Sequence, residues 1–268
     1  MSDSAAAPLK DPTLLQSPRK YLGLSILEWV VVAAIIVVLA ALLLPRVESS
    51  SSPDSRRRER CRNNLKSIGL ALHLYHEKYG TAPPAYLIDK DGRPVHSWRV
   101  LILPFLDRDD LYQEYRFDEP WDGPHNQQLA DKVGDLFHCP SDQTESEARK
   151  TVVPLETSYV AVIGPETYWR GAEGVCPCDV YDGMATTLQL VEVANSGIHW
   201  MEPRDLHVGQ MAPTINPKAG QGISSRHKGG AIGLLADGSV RFLSEKLTAE
   251  TIRGLLTIKG GETIPEDF

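Results

Sequence analysis

The stretch from Gly23 to Pro45 limits what this chain can fold into more than any other part of it. It reads G-L-S-I-L-E-W-V-V-V-A-A-I-I-V-V-L-A-A-L-L-L-P. The 21 residues from Leu24 to Leu44 carry one charge, Glu28. As α-helix they extend about 31 Å, against a bilayer hydrocarbon core of about 30 Å. Residues 24–45 are therefore expected to form a transmembrane helix. A charged side chain inside a bilayer costs about 2.5–3.5 kcal/mol at mid-depth and is usually kept for a reason. Glu28 either lies near the headgroups of a plain anchor or makes a specific contact. A cleaved signal peptide fits less well, because its apolar region is only about 7–15 residues and ends at an A-x-A-like site. Here Pro45, Arg46 and Glu48 follow a longer run.

The spacing within the stretch carries more. Arg19 and Lys20 precede Gly23, and counted from Leu24, Glu28 is the fifth residue and Pro45 the twenty-second. This pattern resembles the prepilin-type processing and methylation segment of type IV pilins and type II secretion pseudopilins. The resemblance implies that a prepilin peptidase cleaves after Gly23 and methylates the new amine of Leu24. It implies that Glu28 pairs with the amine of a neighbouring pseudopilin-like subunit during assembly. Pro45 would kink the helix, as an interior proline does. Leu24 stands where Phe is usual and Ser25 where Thr is usual.

The implied location is the inner (cytoplasmic) membrane, crossed once. Residues 1–23 would be a cytoplasmic leader, the bilayer a partner, and the C-terminal domain extracytoplasmic (periplasmic). Charge bias points the other way. Lys10, Arg19 and Lys20 precede the span, whereas Arg46, Arg56, Arg57, Arg58, Arg60 and Arg62 follow it, and basic residues beside a span tend to stay inside. The rule is weak for long domains, so the outside placement is kept.

Residues 46–54, with four serines and Pro53, read as a Ser/Pro linker. An amphipathic spine helix is expected over 55–80. Its stripe is Cys61, Leu65, Ile68, Leu72, Tyr75 and Tyr79, at alternating spacings of four and three. Gly80 is placed for a C-terminal cap, and Pro83-Pro84 prevent continuation. The arginines at 56–62 either contact anionic headgroups or form a solvated helix face. A formal net charge of −7 argues against nucleic acid as a partner.

Residues 81–268 read as one α+β domain. Short helices are expected from Ser97 to Leu103, Asp107 to Tyr115 and Asn126 to Val133, and strands over Tyr159–Ile163 and Leu188–Ala194. Asp237-Gly238, between Ala231–Ala236 and Ser239–Leu243, reads as a two-residue hairpin turn with both positions at positive φ. Thr248 is placed to cap a last helix. The expected architecture is a transmembrane helix and a spine helix packed on a mainly antiparallel-sheet domain.

Several segments together resemble the DUF1559 proteins, abundant in Planctomycetes. They are C-R-N-N-L-K-S-I-G-L-A-L-H-L-Y-H (61–76), H-S-W-R-V-L-I-L-P-F-L (96–106), F-D-E-P-W-D-G-P-H-N (117–126), F-H-C-P-S-D (137–142) and T-S-Y-V-A-V-I-G-P (157–165). The ending adds His227, followed after nine residues by Asp237-Gly238. The resemblance implies a prepilin-type N-terminus joined to a pseudopilin-like domain of unknown biochemical role. In that family the spine usually continues from the kink proline without a break; here the Ser-Ser-Ser-Ser-Pro insertion interrupts it.

The four cysteines allow three disulfide pairings. Cys61 on the stripe and Cys139 at a Pro-Ser-Asp turn either form a staple between spine and domain or remain two buried thiols. Cys176-Pro-Cys178 is too tight for a thioredoxin-like motif, and a zinc site there would need His199 or His207 as well. His199, Glu202, Asp205 and His207 lack H-E-x-x-H spacing. Asp118, Glu119, Asp122 and Asn126 place hard oxygens around a turn, as a Ca²⁺ site or as local backbone caps. Major pseudopilins use a calcium loop, which the resemblance extends to this turn. No other cofactor is expected. There is no G-x-S-x-G, no reactive-cysteine context and no phosphate-cradling loop, so no enzymatic activity is expected. The expected function is a membrane-anchored, pseudopilin-like structural protein. The alternative is a single-pass binding module for glycans or partner proteins that never assembles.

Overall fold

A computed structural model describes residues 25–43, 52–142, 155–218, 221–265 and 268. Gly23, Leu24, Pro45 and most of the expected linker lie outside the described residues. The chain divides into two compact units, Met1–Ser50 and Ser51–Phe268.

The first unit is described as one helix, α1 (Ile26–Leu43). Every side chain described in it, from Ile26 to Leu39, is exposed. Its start is set by a capping box. Glu28 N–H donates to Ser25 Oγ (3.3 Å), and Ser25 N–H donates back to the Glu28 carboxylate (2.7 Å). Among the described residues, no helix is both long and apolar enough to cross a membrane. The 18 residues of α1 extend only about 27 Å.

The second unit is α+β. Its spine, α2 (Pro53–Tyr79), begins two residues earlier than the sequence suggests. Pro53 starts this helix rather than breaking it. At the first helical position proline's missing N–H costs nothing and its φ is already helical, and Ser52 caps the end by accepting from Ser55 N–H. Gly80 closes α2 at φ +80°, its N–H bonded to His76 O. Cys61, Leu65, Ile68 and Leu72 are buried as the stripe requires, Tyr75 is half-buried, and Tyr79 is 54 % exposed. Tyr79 lies on the last turn, tilted against Tyr75 and edge-on to Phe105.

A hairpin follows, β1 (Tyr86–Ile88) against β2 (Pro94–Ser97). Its turn contains Asp91-Gly92, with Gly92 at φ +80°. Then come α3 (Trp98–Leu101), capped by Ser97, and a 3₁₀ turn over Leu103–Phe105. Next are α4 (Asp109–Glu114) and a longer 3₁₀ helix, Asn126–Val133. The main sheet has the order β3 (Tyr159–Val160), β5 (Leu188–Glu192), β7 (Gly230–Leu235), β8 (Val240–Ser244), all antiparallel. A separate parallel pair joins β4 (Val162–Ile163) to β6 (Leu206–His207). The expected strand over 159–163 is thus two strands. The break falls at Ala161, whose N–H is taken by the Asp205 carboxylate at 2.8 Å instead of a neighbouring strand.

Strand β7 explains the layering. Ile232 and Leu234 pack toward Cys61, Leu65, Ile68 and Leu72 of α2 and the ring of Trp200. Ala231 and Leu235 face the other way, toward Ile252, Leu255 and Leu256 of α5 (Ala249–Leu256). A strand covered on both faces reads as a continuous apolar run, which β7 does. The spine approaches β7 closely at Gly69, where an added Cβ would lie 2.8 Å from Leu234 Cδ1. Thr248 caps α5 by accepting from Thr251 N–H.

Candidate functional site

A cluster of buried polar side chains lies where the spine meets the sheet. Cys61, on the buried face of α2, is joined to Cys139 by a disulfide. Cys139 belongs to a turn in which Asp142 N–H donates to Cys139 O (2.8 Å) and Cys139 N–H donates to Ser158 Oγ (3.0 Å). Asp142 is the bracket of that turn. It accepts from Asn195 N–H (2.8 Å) and Arg226 Nε (3.2 Å). Arg226 also reaches Asn195 Oδ1 at 3.0 Å, so the turn, the end of β5 and the entry to β7 form one network.

His227 follows Arg226 into this junction. Its Nε2 lies 3.5 Å from Cys139 Sγ and 3.5 Å from Glu192 Oε1. Glu192 ends β5, and its Oε2 accepts from Ile232 N–H of β7 at 2.7 Å. Both side chains are about 1 % exposed. Buried polar atoms are nearly always bonded, yet Glu192 Oε1 and His227 Nδ1 have no hydrogen-bond partner. Burial, with Glu192 close by, pushes the Tyr159 phenol well up from its ordinary value.

The His-x9-Asp-Gly motif therefore does not converge on one point. Between His227 and Asp237 runs β7 itself, six residues long, or roughly 20 Å. His227 lies at its entry and Asp237-Gly238 at its exit. The exit turn is not the two-residue type expected. Gly238 has φ +83°, whereas Asp237 is not among the residues with positive φ. Gly238 N–H bonds Leu235 O, and Leu235 N–H bonds Ser239 O. The loop is thus Ala236-Asp237-Gly238, a type I turn closed by a left-handed glycine. Asp237 Oδ1 accepts from Ser239 N–H (2.8 Å).

The other sequence candidates are placed apart. Glu119 Oε1 accepts from Asn126 N–H (2.7 Å). Asn126 is fully buried and brackets the backbone of Arg116 with its Oδ1 (2.9 Å) and Nδ2 (2.8 Å). Two of the four oxygens proposed for calcium are thus engaged with backbone groups of the turn. Asp118, Glu119 and Asp122 line an open cleft of about 660 Å³ with Arg93, His96, Phe117 and Trp121. Cys176 and Cys178 are disulfide-bonded to each other.

His199, Glu202, Asp205 and His207 separate as well. His199 lies against the Trp121 ring, and burial lowers its pKa against the pull of Glu202. Glu202 pairs with Arg204, and His207 is exposed. Asp205 forms a fully buried pair with Arg99 (2.5 Å). Ala161 N–H and Trp98 Nε1 also donate to Asp205, and Arg99 donates to Tyr159 O and Ser97 Oγ. Burial raises the Asp205 carboxyl and lowers Arg99, each opposed by the other's charge. Asp205 was weighed in the sequence only as a metal-ligand type, and neither Arg99 nor Glu192 was singled out. A polar residue ending an apolar strand-like run, L-Q-L-V-E, was the available signal for Glu192.

The arginines that follow α1 are divided. Arg56, Arg57 and Arg60 are exposed. The Arg58 guanidinium lies 3.7 Å from the centre of the Phe242 ring, and Arg62 reaches Val240 O, so two of them dock the spine on β8.

A family model described as "Protein of unknown function (DUF1559)" matches residues 55–187 and 181–250. No curated protein and no solved structure matches the chain.

Proposed function

With the chain belonging to the DUF1559 family, we propose that it is a membrane-anchored, pseudopilin-like structural protein that displays the second unit outside the inner membrane. The observation that carries this reading is α1. It is apolar on every side, its described side chains are uncovered within its unit, and its one carboxylate stands in the first turn. A helix apolar all round is stable in lipid or inside a larger core. The sequence run continues on either side of α1, from Leu24 to Leu44.

The capping box gives Glu28 a local role beside the assembly contact. Its carboxylate holds Ser25 N–H and Oγ (2.7 and 3.0 Å), one residue from the amine that cleavage after Gly23 would create. The two roles separate in one pair of variants. Glutamine completes a capping box as glutamate does, but carries no charge. Glu28→Gln is expected to keep α1 and abolish subunit cross-linking in membranes, and Glu28→Ala to weaken both. Unchanged cross-linking in Glu28→Gln would remove the assembly role. Gly23→Ala is expected to block removal of the leader.

The open cleft lined by Trp121, Phe117, Asp118, Asp122 and Arg93 favours a second reading, a binding module for glycans or partner proteins. An aromatic face beside hydrogen-bonding side chains suits a sugar. Glycan binding lost in Trp121→Ala, together with an uncleaved Gly23, would favour that reading over the first.

A further inference from the structure

We propose that Cys61, Cys139, Glu192 and His227 form a binding site for a divalent d-block metal, zinc by class, which opens when the Cys61–Cys139 disulfide is reduced. The four ligand atoms lie within 4.8 Å of one another, and all four residues are buried. They come from α2, the 137–142 turn, the end of β5 and the entry to β7, so the fold assembles the set. A disulfide alone does not call for a carboxylate and an imidazole beside it, and burying a carboxylate carries a desolvation cost of several kcal/mol. Glu192 Oε1, buried without a hydrogen-bond partner and 3.5 Å from His227 Nε2, is the acceptor left open toward the set.

The distances fit a tetrahedral centre. Metal–sulfur bonds of about 2.3 Å and metal–nitrogen or –oxygen bonds of about 2.0–2.2 Å set sulfur and nitrogen about 3.5 Å apart, and nitrogen and oxygen about 3.4 Å apart. The two matching separations here, Cys139 Sγ to His227 Nε2 and His227 Nε2 to Glu192 Oε1, are each 3.5 Å. The two sulfurs, bonded to each other here, must part to about 3.8 Å in a tetrahedral site, and no pair in the set starts more than 4.8 Å apart. Two thiolates, an imidazole and a carboxylate are a donor set for Zn²⁺ rather than for Ca²⁺ or Mg²⁺. Glu192 is already oriented by Ile232 N–H on its other oxygen, as metal-bound carboxylates are. Cys139, Asp142, Glu192, Ser224 and Arg226 line a small hollow beside the set, too tight for a water molecule.

The chemistry balances with a named reductant. A phosphine and one water convert the disulfide to two thiols and a phosphine oxide. Metal binding then releases the two thiol protons to solvent. Oxidation of the thiols by a disulfide oxidant returns the cross-link and expels the metal.

The test uses the full chain in detergent, reduced with a water-soluble phosphine and titrated anaerobically with Co²⁺. The expected result is one Co²⁺ per chain with thiolate-to-cobalt charge-transfer absorption, displaced by Zn²⁺ and absent from the oxidised protein. His227→Ala and Glu192→Gln are expected to weaken binding more than about tenfold, and Cys176→Ser with Cys178→Ser to leave it unchanged. Near-UV circular dichroism checks that each variant is folded. Three results would overturn the proposal: no thiolate–cobalt band in the reduced wild type, a band that the Cys176/Cys178 double variant removes, or a band that survives intact in both His227→Ala and Glu192→Gln.

Discussion

Helices α1 and α2 pose opposite problems. α1 is apolar all round, and its described side chains are all exposed. α2 is polar over most of its surface, yet it buries the first four residues of one stripe: Cys61, Leu65, Ile68 and Leu72 are each at most 2 % exposed. Total hydrophobicity sends the first helix to a non-aqueous setting, whereas spacing alone sends the second to a protein core. α2 is then fixed by specific devices: a serine cap, Pro53 at the first position, a close approach at Gly69, two docked arginines and a disulfide. α1 has only its capping box. The molecule thus separates an element defined by composition from one defined by pattern.

The comparison breaks first at the buried ion pair. Asp205→Ala would leave Arg99 buried and unpaired, at a cost of about 3–5 kcal/mol. Denaturant unfolding followed by tryptophan fluorescence should show this loss in the second unit, with membrane extraction of the chain unchanged. If extraction changes equally, the two units do not behave independently. Replacing Cys61 and Cys139 together by Ala should cost about 2–5 kcal/mol, since the closed loop is long; the separation is 78 residues. The same unfolding curve with and without reductant checks it.

A steric contrast is smaller. Gly69→Val pushes a branched side chain against Leu234 and should cost about 1–3 kcal/mol. Ala34→Leu on exposed α1 should leave the second unit's midpoint where it is. Equal effects would erase the distinction between the helices.

The smallest effect is on pH. Burial lowers the pKa of His96 from 6.5, opposed by its bond to Phe117 O. A histidine depressed in the folded state stabilises above the unfolded value, and that stability is lost as pH falls below it. The second unit should therefore soften as pH drops below about 6.5, and His96→Gln should flatten that slope. All eight histidines lie beyond residue 50, so the slope belongs to the second unit alone.

Much of the fold was legible because local physics decided it. The four–three spacing defines α2, Gly80 ends it, and Asp237-Gly238 marks the last hairpin. The hairpin's length was not legible, because Asp-Gly serves two-residue and three-residue loops alike. Asp91-Gly92 carried the same signal for β1 and β2 and was missed. The start of α2 was read as a break because Pro53 was weighed as a breaker and not as a first residue. The capping box Ser25-x-x-Glu28 is present in the letters, inside a run whose hydrophobicity alone points to a membrane helix. The break at Ala161 and the Arg99–Asp205 pair depend on contacts across 44 and 106 positions, which no local pattern encodes. For the same reason the meeting of Glu192 and His227 at the Cys61–Cys139 bond emerges only from the folded chain.

The intact mass of protein extracted from membranes tests the central proposal most directly. The expected mass is that of a chain that begins at Leu24, lacks residues 1–23 and carries one methyl group on its new amine. A mass that still includes Met1 through Gly23 would contradict it.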